Sequence, residues 1–249
     1  MGARRSLDTR PLLSVGADAK TPRGLSRGVL TGVLYMTPAR GRGEADGANL
    51  CPFSTPACRA ECIDTTGRGV MTTVQRARDR RRARFLNNRV EFLEQLDRDV
   101  ARLNRAARRR GLKPAVRVNG TSDIAYELLA GPLFARYPEV SFYDYTKVPA
   151  RYARFLAGKF PANYHLTFSR SERNEADALR LLQNGGNVAV VFGTAKGRRL
   201  PQSWRGYRVI DGDRHDYRPA DARNVVVGLR AKGPAKRDRS SGFVVWEDA

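Results

Sequence analysis

Short runs of β-branched and aromatic residues recur along the chain, at 29–35, 115–118, 140–145, 164–168, 187–192, 207–210, 224–229 and 243–246. From residue 115 onward each is followed by polar residues and then by a helix-like segment. Their starts lie roughly 18 to 25 residues apart, the spacing of βα units. Continuous apolar runs such as Val188-Ala189-Val190-Val191-Phe192 suit strands buried on both faces. The pattern predicts a parallel (βα) barrel, complete or partial and so TIM barrel-like. An open doubly wound sheet is the other arrangement that fits. No glycine fingerprint for a dinucleotide follows any strand.

Between the first two runs, residues 71–110 carry Val74, Ala77, Phe85, Val90, Phe92, Leu93, Leu96, Val100 and Leu103 at interrupted helical spacing. This predicts one or two long helices, ended by Gly111 and Pro114. Residues 1–28 are basic and rich in Gly, Pro and Ser, which predicts an irregular segment ahead of a single α/β domain over 29–249.

Charge changes the picture. The 249 residues hold 46 Lys plus Arg against 25 Asp plus Glu, a formal net charge of +21. Only seven of the cations are lysines. A 41% hydrophobic content argues against general disorder, and no apolar run is long enough to span a bilayer. A globule this basic points to an anionic partner, nucleic acid first. Thirteen arginines and five acids fall between Arg76 and Arg110. Arg76, Arg80, Arg81 and Arg84 are the candidate phosphate contacts, with a solvated helix face as the plain alternative.

In a parallel barrel the polar residues after each strand share one rim. That rim would gather Asn119, Ser122, Asp123, Asp144, Lys147, Ser169, Glu172, Asp213 and His215. Asp123, Asp144, Lys147, Asp213 and His215 are the candidate acid, base or anion-handling groups. Asn119, Ser122, Ser169 and Glu172 are candidate cofactor or substrate contacts. Helix capping is the competing role for the short polar residues. His165 sits inside an apolar run and is as well explained by packing.

The sharpest chemistry lies in the loop 49–69, where Cys51, Cys58 and Cys62 follow a C-x6-C-x3-C spacing. An odd cysteine count within twelve residues argues against a disulfide framework and for a reducing compartment. Three crowded thiolates repel one another unless a metal or cluster neutralises them, and soft sulfur selects zinc, iron–sulfur clusters or Cu(I). Structural zinc usually takes four protein ligands. Three cysteines suffice for a 4Fe-4S cluster with one open iron, so the cluster is expected ahead of zinc.

A three-cysteine loop after the first barrel strand resembles the radical S-adenosylmethionine enzymes, which implies S-adenosylmethionine as a cofactor on the open iron. Their usual spacing is C-x3-C-x2-C, from which this chain departs, and only the three cysteines carry over. The whole chain, about residues 12–245, also resembles the gene product 88-like proteins of bacteriophage genomes. That resemblance rests on Leu30-Thr31-Gly32, Cys51-Pro52, Cys58, Cys62, Gly67-Arg68-Gly69, 117–124, 142–147, 163–169, 187–192, Val227-Gly228-Leu229 and Ala231-Lys232-Gly233. It implies a phage-encoded protein in the host cytoplasm, and no settled activity.

Three readings follow. An iron–sulfur enzyme would act on a nucleic acid, nucleotide or similar anion at the rim. A non-catalytic nucleic-acid-binding protein would carry a structural metal, zinc or cluster. A metal-dependent nuclease would use Asp123, Asp144 and Asp213 on a hard cation.

Overall fold

The computed structural model describes residues 9–16, 21–38 and 48–246. Most of the Gly-rich stretch ahead of the cysteines lies outside them.

The strands are β1 (Leu13–Val15), β2 (Val29–Leu34), β3 (Lys113–Arg117), β4 (Ser141–Thr146), β5 (Tyr164–Ser169), β6 (Val188–Phe192), β7 (Ser203–Trp204), β8 (Tyr207–Asp211) and β9 (Val226–Arg230). They form one sheet in the order β1-β2-β3-β4-β5-β6-β9-β8-β7. Pairing from β2 to β8 is parallel throughout, and β1 and β7 add antiparallel edges. From β1 to β6 the order follows the chain, without the reversal at a switch point that marks a doubly wound sheet. The two edges do not pair, so the sheet is not closed.

The helices are α1 (Thr21–Leu25), α2 (Pro56–Ala60), α3 (Thr72–Asn87), α4 (Arg89–Arg109), α5 (Tyr126–Leu129), α6 (Gly131–Arg136), α7 (Pro149–Leu156) and α8 (Glu175–Gln183). The expected long helical stretch is therefore two helices broken at Asn88, whose side chain accepts from Glu91 N–H (3.2 Å) while donating to the Glu91 carboxylate (2.9 Å). That reciprocal cap restarts the helix. Gly111, at φ +62°, lets the chain leave α4 and enter β3. The expected irregular start is partly regular, because β1 and α1 fall within it. Asp99 on α4 holds the start of β1, accepting the Leu13 N–H at 3.2 Å and also the Leu12 N–H.

One sheet face presents Leu30, Leu34, Val116, Val118, Phe142, Leu166, Phe168, Val188, Val190 and Phe192 to the helices, in a single core with Phe85, Phe92, Leu96, Leu103 and Leu181. The other face carries Val29, Ala115 and Tyr143 against Tyr217. There the connection from β8 to β9, residues 212–225, lies over β4 and β5 instead of forming a long helix. The final apolar run is not a full strand: Val245 makes an isolated parallel bridge to Phe192.

Candidate functional site

The cysteine loop follows β2 and lies over the carboxyl ends of the parallel strands. Thr55 caps α2, accepting the Cys58 N–H at 3.3 Å, and Pro56 supplies the preset φ of the first turn. Glu172, just past β5, reaches this cap: one carboxylate oxygen accepts from Thr55 Oγ1 (2.7 Å) and the other from Ala57 N–H (3.1 Å). Glu172 thus positions the helix that carries Cys58.

Arg78 on α3 ties the far side of the loop through the Asp64 carbonyl (2.6 Å) and carboxylate (2.5 Å). Arg82 is almost fully buried and donates to the carbonyls of Thr37 (3.2 Å), Pro38 (2.8 Å) and Ala48. A C-terminal strap closes the third side, where Ala231, Ala235, Phe243 and Val244 pack with Ala57, Cys58 and Trp246.

The three cysteines are free thiols, each half-buried. Lys147, just past β4, donates from its ammonium to Ser169 Oγ at 2.7 Å and lies in electrostatic reach of all three cysteines. Burial works against that charge, yet Cys58, Cys51, Asp123 and Cys62 together hold Lys147 above the ordinary lysine value. Burial pushes the Cys51 thiol up to about 12, and Lys147 opposes that only in part. Burial raises Cys62 as well, against a backbone hydrogen bond from Asp64. Burial therefore disfavours the thiolate at Cys51 and Cys62, and a metal would have to supply the charge that offsets it.

As they stand, no three His, Cys, Asp or Glu side chains among the described residues close around a single ion. The donor set still fits a cluster in kind. It offers three soft sulfurs near one cation, with no fourth ligand grouped with them among the described residues, and a cubane spreads its cysteines more widely than one tetrahedral ion does.

The other expected site residues divide. Asp123 stands beneath the cysteines, accepting from Lys147 N–H (2.8 Å) and from Arg151 (3.0 Å). Asp144 is fully buried and accepts from Asn119 N–H (2.8 Å), Asn119 Nδ2 (2.7 Å) and the Tyr164 hydroxyl, with Arg151 at 3.8 Å. Burial lifts its carboxyl to about 6 against the pull of Arg151, Tyr164 and Asn119. Asn119 also accepts from Ser122 Oγ (2.8 Å) and Ile124 N–H (2.9 Å). Asn119, Ser122 and Asp144 therefore build the loop after β3 and do not face the rim.

Asp213 accepts from Arg230 N–H (2.9 Å) and Lys232 (3.1 Å), away from Asp123 and Asp144. The three carboxylates that a hard-cation site would need are thus engaged by the protein's own cations, Asp123 and Asp144 by Arg151 and Asp213 by Arg230 and Lys232. His215 is turned from Asp211 and Asp213 and buried between Arg218 (3.2 Å) and Asp221 (3.8 Å) on the second face of the sheet. His165 is held neutral, burial lowering it to about 4 with help from Arg218 and Arg223.

Of the expected phosphate contacts, Arg76 and Arg80 are exposed. Arg81 and Arg84 are half-buried and tie down the N-terminal segment, Arg81 to Tyr35 carbonyl (3.4 Å) and Ser14 Oγ (3.3 Å), Arg84 to the Arg10 carbonyl (3.1 Å). Sequence reasoning missed Arg78, Arg82, Glu127 and Arg151. The only signal of the three arginines was their place in a helix with apolar neighbours, which solvated arginines share.

The family described as gene product 88 matches residues 11–246 of the chain. No curated protein and no solved structure matches it.

Proposed function

The chain belongs to the gene product 88 family, and on that footing we propose that it is an iron–sulfur enzyme acting on a nucleic acid, nucleotide or similar anion at the carboxyl ends of its strands. The observation that carries this is that Cys51, Cys58 and Cys62 share one loop, held by Glu172 and Arg78, with the Lys147 ammonium in electrostatic reach of all three. Cys51, Cys58 and Cys62 would hold a 4Fe-4S cluster. Bound there through three cysteines, it would supply one open iron as a Lewis acid or as the anchor for a cofactor such as S-adenosylmethionine.

The chain's own residues do the rest. Lys147, with Ser169 fixing its ammonium, offers an anion a charged donor beside the sulfurs. Asp123 sets the Lys147 backbone and, through Arg151, its own orientation. Glu172 and Arg78 hold the loop in place from opposite sides. The sequential strand order suits an opened-out (βα) barrel, and that is how we read the architecture. A phage origin and action in the host cytoplasm belong to the same reading. No helix among the described residues is long and apolar enough to cross a membrane.

Anaerobic reconstitution with iron and sulfide tests this. The expected result is a stable brown protein with a cluster absorption band, lost in Cys51→Ala, Cys58→Ala and Cys62→Ala. A spectral change on adding S-adenosylmethionine would identify the cofactor. A colourless protein that takes up no iron would overturn the reading.

The fixing of the loop from three sides supports a second reading, a structural zinc in a nucleic-acid-binding protein. Tightly held zinc in the purified chain, with no iron uptake after its removal, would select it.

A further inference from the structure

The arginine-rich stretch separates into two surfaces. α3 spends Arg78, Arg81, Arg82 and Arg84 on fixing loops, and leaves Arg76 and Arg80 exposed near the cysteines. α4 spans 21 residues, about 30 Å, and leads into the amino end of β3. Its last turns therefore lie at the end of the sheet opposite the cysteine loop. Arg102, Arg105 and Arg109 recur there at helical spacing, all exposed, with Arg108 and Arg110 exposed beside them. Arg102 reaches Asp99 at 3.5 Å, and Arg108 faces Glu139. Arg105, Arg109 and Arg110 form no ion pair with any described residue. Lys113 N–H donates to the Gly28 carbonyl (2.7 Å), which brings exposed Arg27 and Lys113 to the same end.

We propose that this amino-end surface, built on Arg105, Arg109, Arg110, Arg27 and Lys113, binds the phosphate backbone of nucleic acid at a site separate from the cysteine rim. The inference does not require the cluster. The composition of the face selects the partner. Residues 102–110 expose no large apolar side chain, whereas a protein interface needs an apolar core and a membrane-surface helix an apolar face. An unpaired arginine row without apolar anchors matches regularly spaced phosphates, which are contacted without reading sequence. Basic residues in a last helical turn also complement the helix dipole. One or two suffice for that, and the row extends over a further turn and onto two neighbouring segments.

The test measures binding of the full chain to a random-sequence DNA duplex and to its single strand across a salt series. The variant Arg105→Ala/Arg109→Ala/Arg110→Ala keeps good helix formers at every position. On duplex, its plot of log affinity against log salt is expected to flatten by about 0.9 for each phosphate no longer neutralised, and on single strand by about 0.7. The arm with the larger loss of affinity identifies the form bound. Arg76→Ala/Arg80→Ala is expected to leave this slope unchanged. An unchanged slope in the triple variant, a flattened slope in the α3 pair instead, or no binding at low salt would overturn the proposal. Iron uptake of the triple variant is scored separately, so failure here leaves the cluster reading standing or falling by its own assay.

Discussion

Arg151 is the side chain on which the interior of the site turns. It is almost fully buried and meets Asp123 at 3.0 Å, Glu127 at 2.8 Å, the Tyr164 hydroxyl at 2.9 Å and Asp144 at 3.8 Å. Taking these charges out of water is costly, and only mutual pairing offsets it. Removing the cation alone strands three buried carboxylates. Arg151→Met is therefore expected to lose about 3–5 kcal/mol of stability in urea unfolding. The same burial leaves a signature in pH. The Asp144 carboxyl sits at about 6 in the fold, above an ordinary aspartate, so the folded chain holds this proton more tightly than the unfolded one. Its contribution favours the fold at low pH and is lost as pH rises from about 4 to about 6. Asp221, lifted to about 6 by burial against the pull of Arg218, acts in the same direction. Asp144→Asn should shrink the fall in unfolding free energy between about pH 4 and about pH 7, whatever it does to stability at either pH. An unchanged difference would show that Asp144 is not the group titrating.

At the scale of elements, the strap over the cysteine loop packs its last aromatic residue directly on Gly193. A Cβ on Gly193 would fall inside the Trp246 ring, whose indole N–H donates to the Asp238 carbonyl (2.7 Å). Gly193→Ala must push Trp246 away, at an overpacking cost of about 1–3 kcal/mol. The strap should lift from Cys58, giving a lower melting temperature and faster alkylation of Cys58 read by mass spectrometry. Alkylation at the wild-type rate would mean that the strap does not guard the thiol. This arrangement was only partly legible in the sequence. The parallel strands announced themselves because both faces are buried, so Val188–Phe192 is apolar without interruption. β1 and β7 were missed because three and two residues are too short for any periodicity. The positions of the cysteine loop and of Lys147 after parallel strands were legible from the strand pattern. The turn of His215 onto the second face of the sheet was not, because an acidic loop looks the same whether it stays at the strand ends or crosses the sheet. Nor can spacing distinguish Arg82, sealed against three carbonyls, from Arg80 in water.

For the whole molecule, the excess of 46 cations over 25 acids resolves into a part spent inward and a part presented at two ends. Each parallel strand has five or six residues, so about 17–20 Å of sheet separates the cysteine rim from the arginines at the end of α4. At physiological ionic strength the screening length is about 8 Å. A change of charge or bulk at the cysteines should then barely reach a polyanion bound at the other end. Capping all three thiols with neutral iodoacetamide is expected to alter duplex affinity by less than about twofold at physiological salt. At ionic strength near 0.01 M the screening length grows to about 30 Å, and a negatively charged alkylating agent should begin to weaken binding there while the neutral one does not. The contrast between the two reagents separates electrostatic reach from local unfolding, because unfolding of the loop would follow either modification at any salt. If the neutral cap abolished binding at physiological salt, the two ends would be one site, and the polyanion would have to run across the cysteine loop itself.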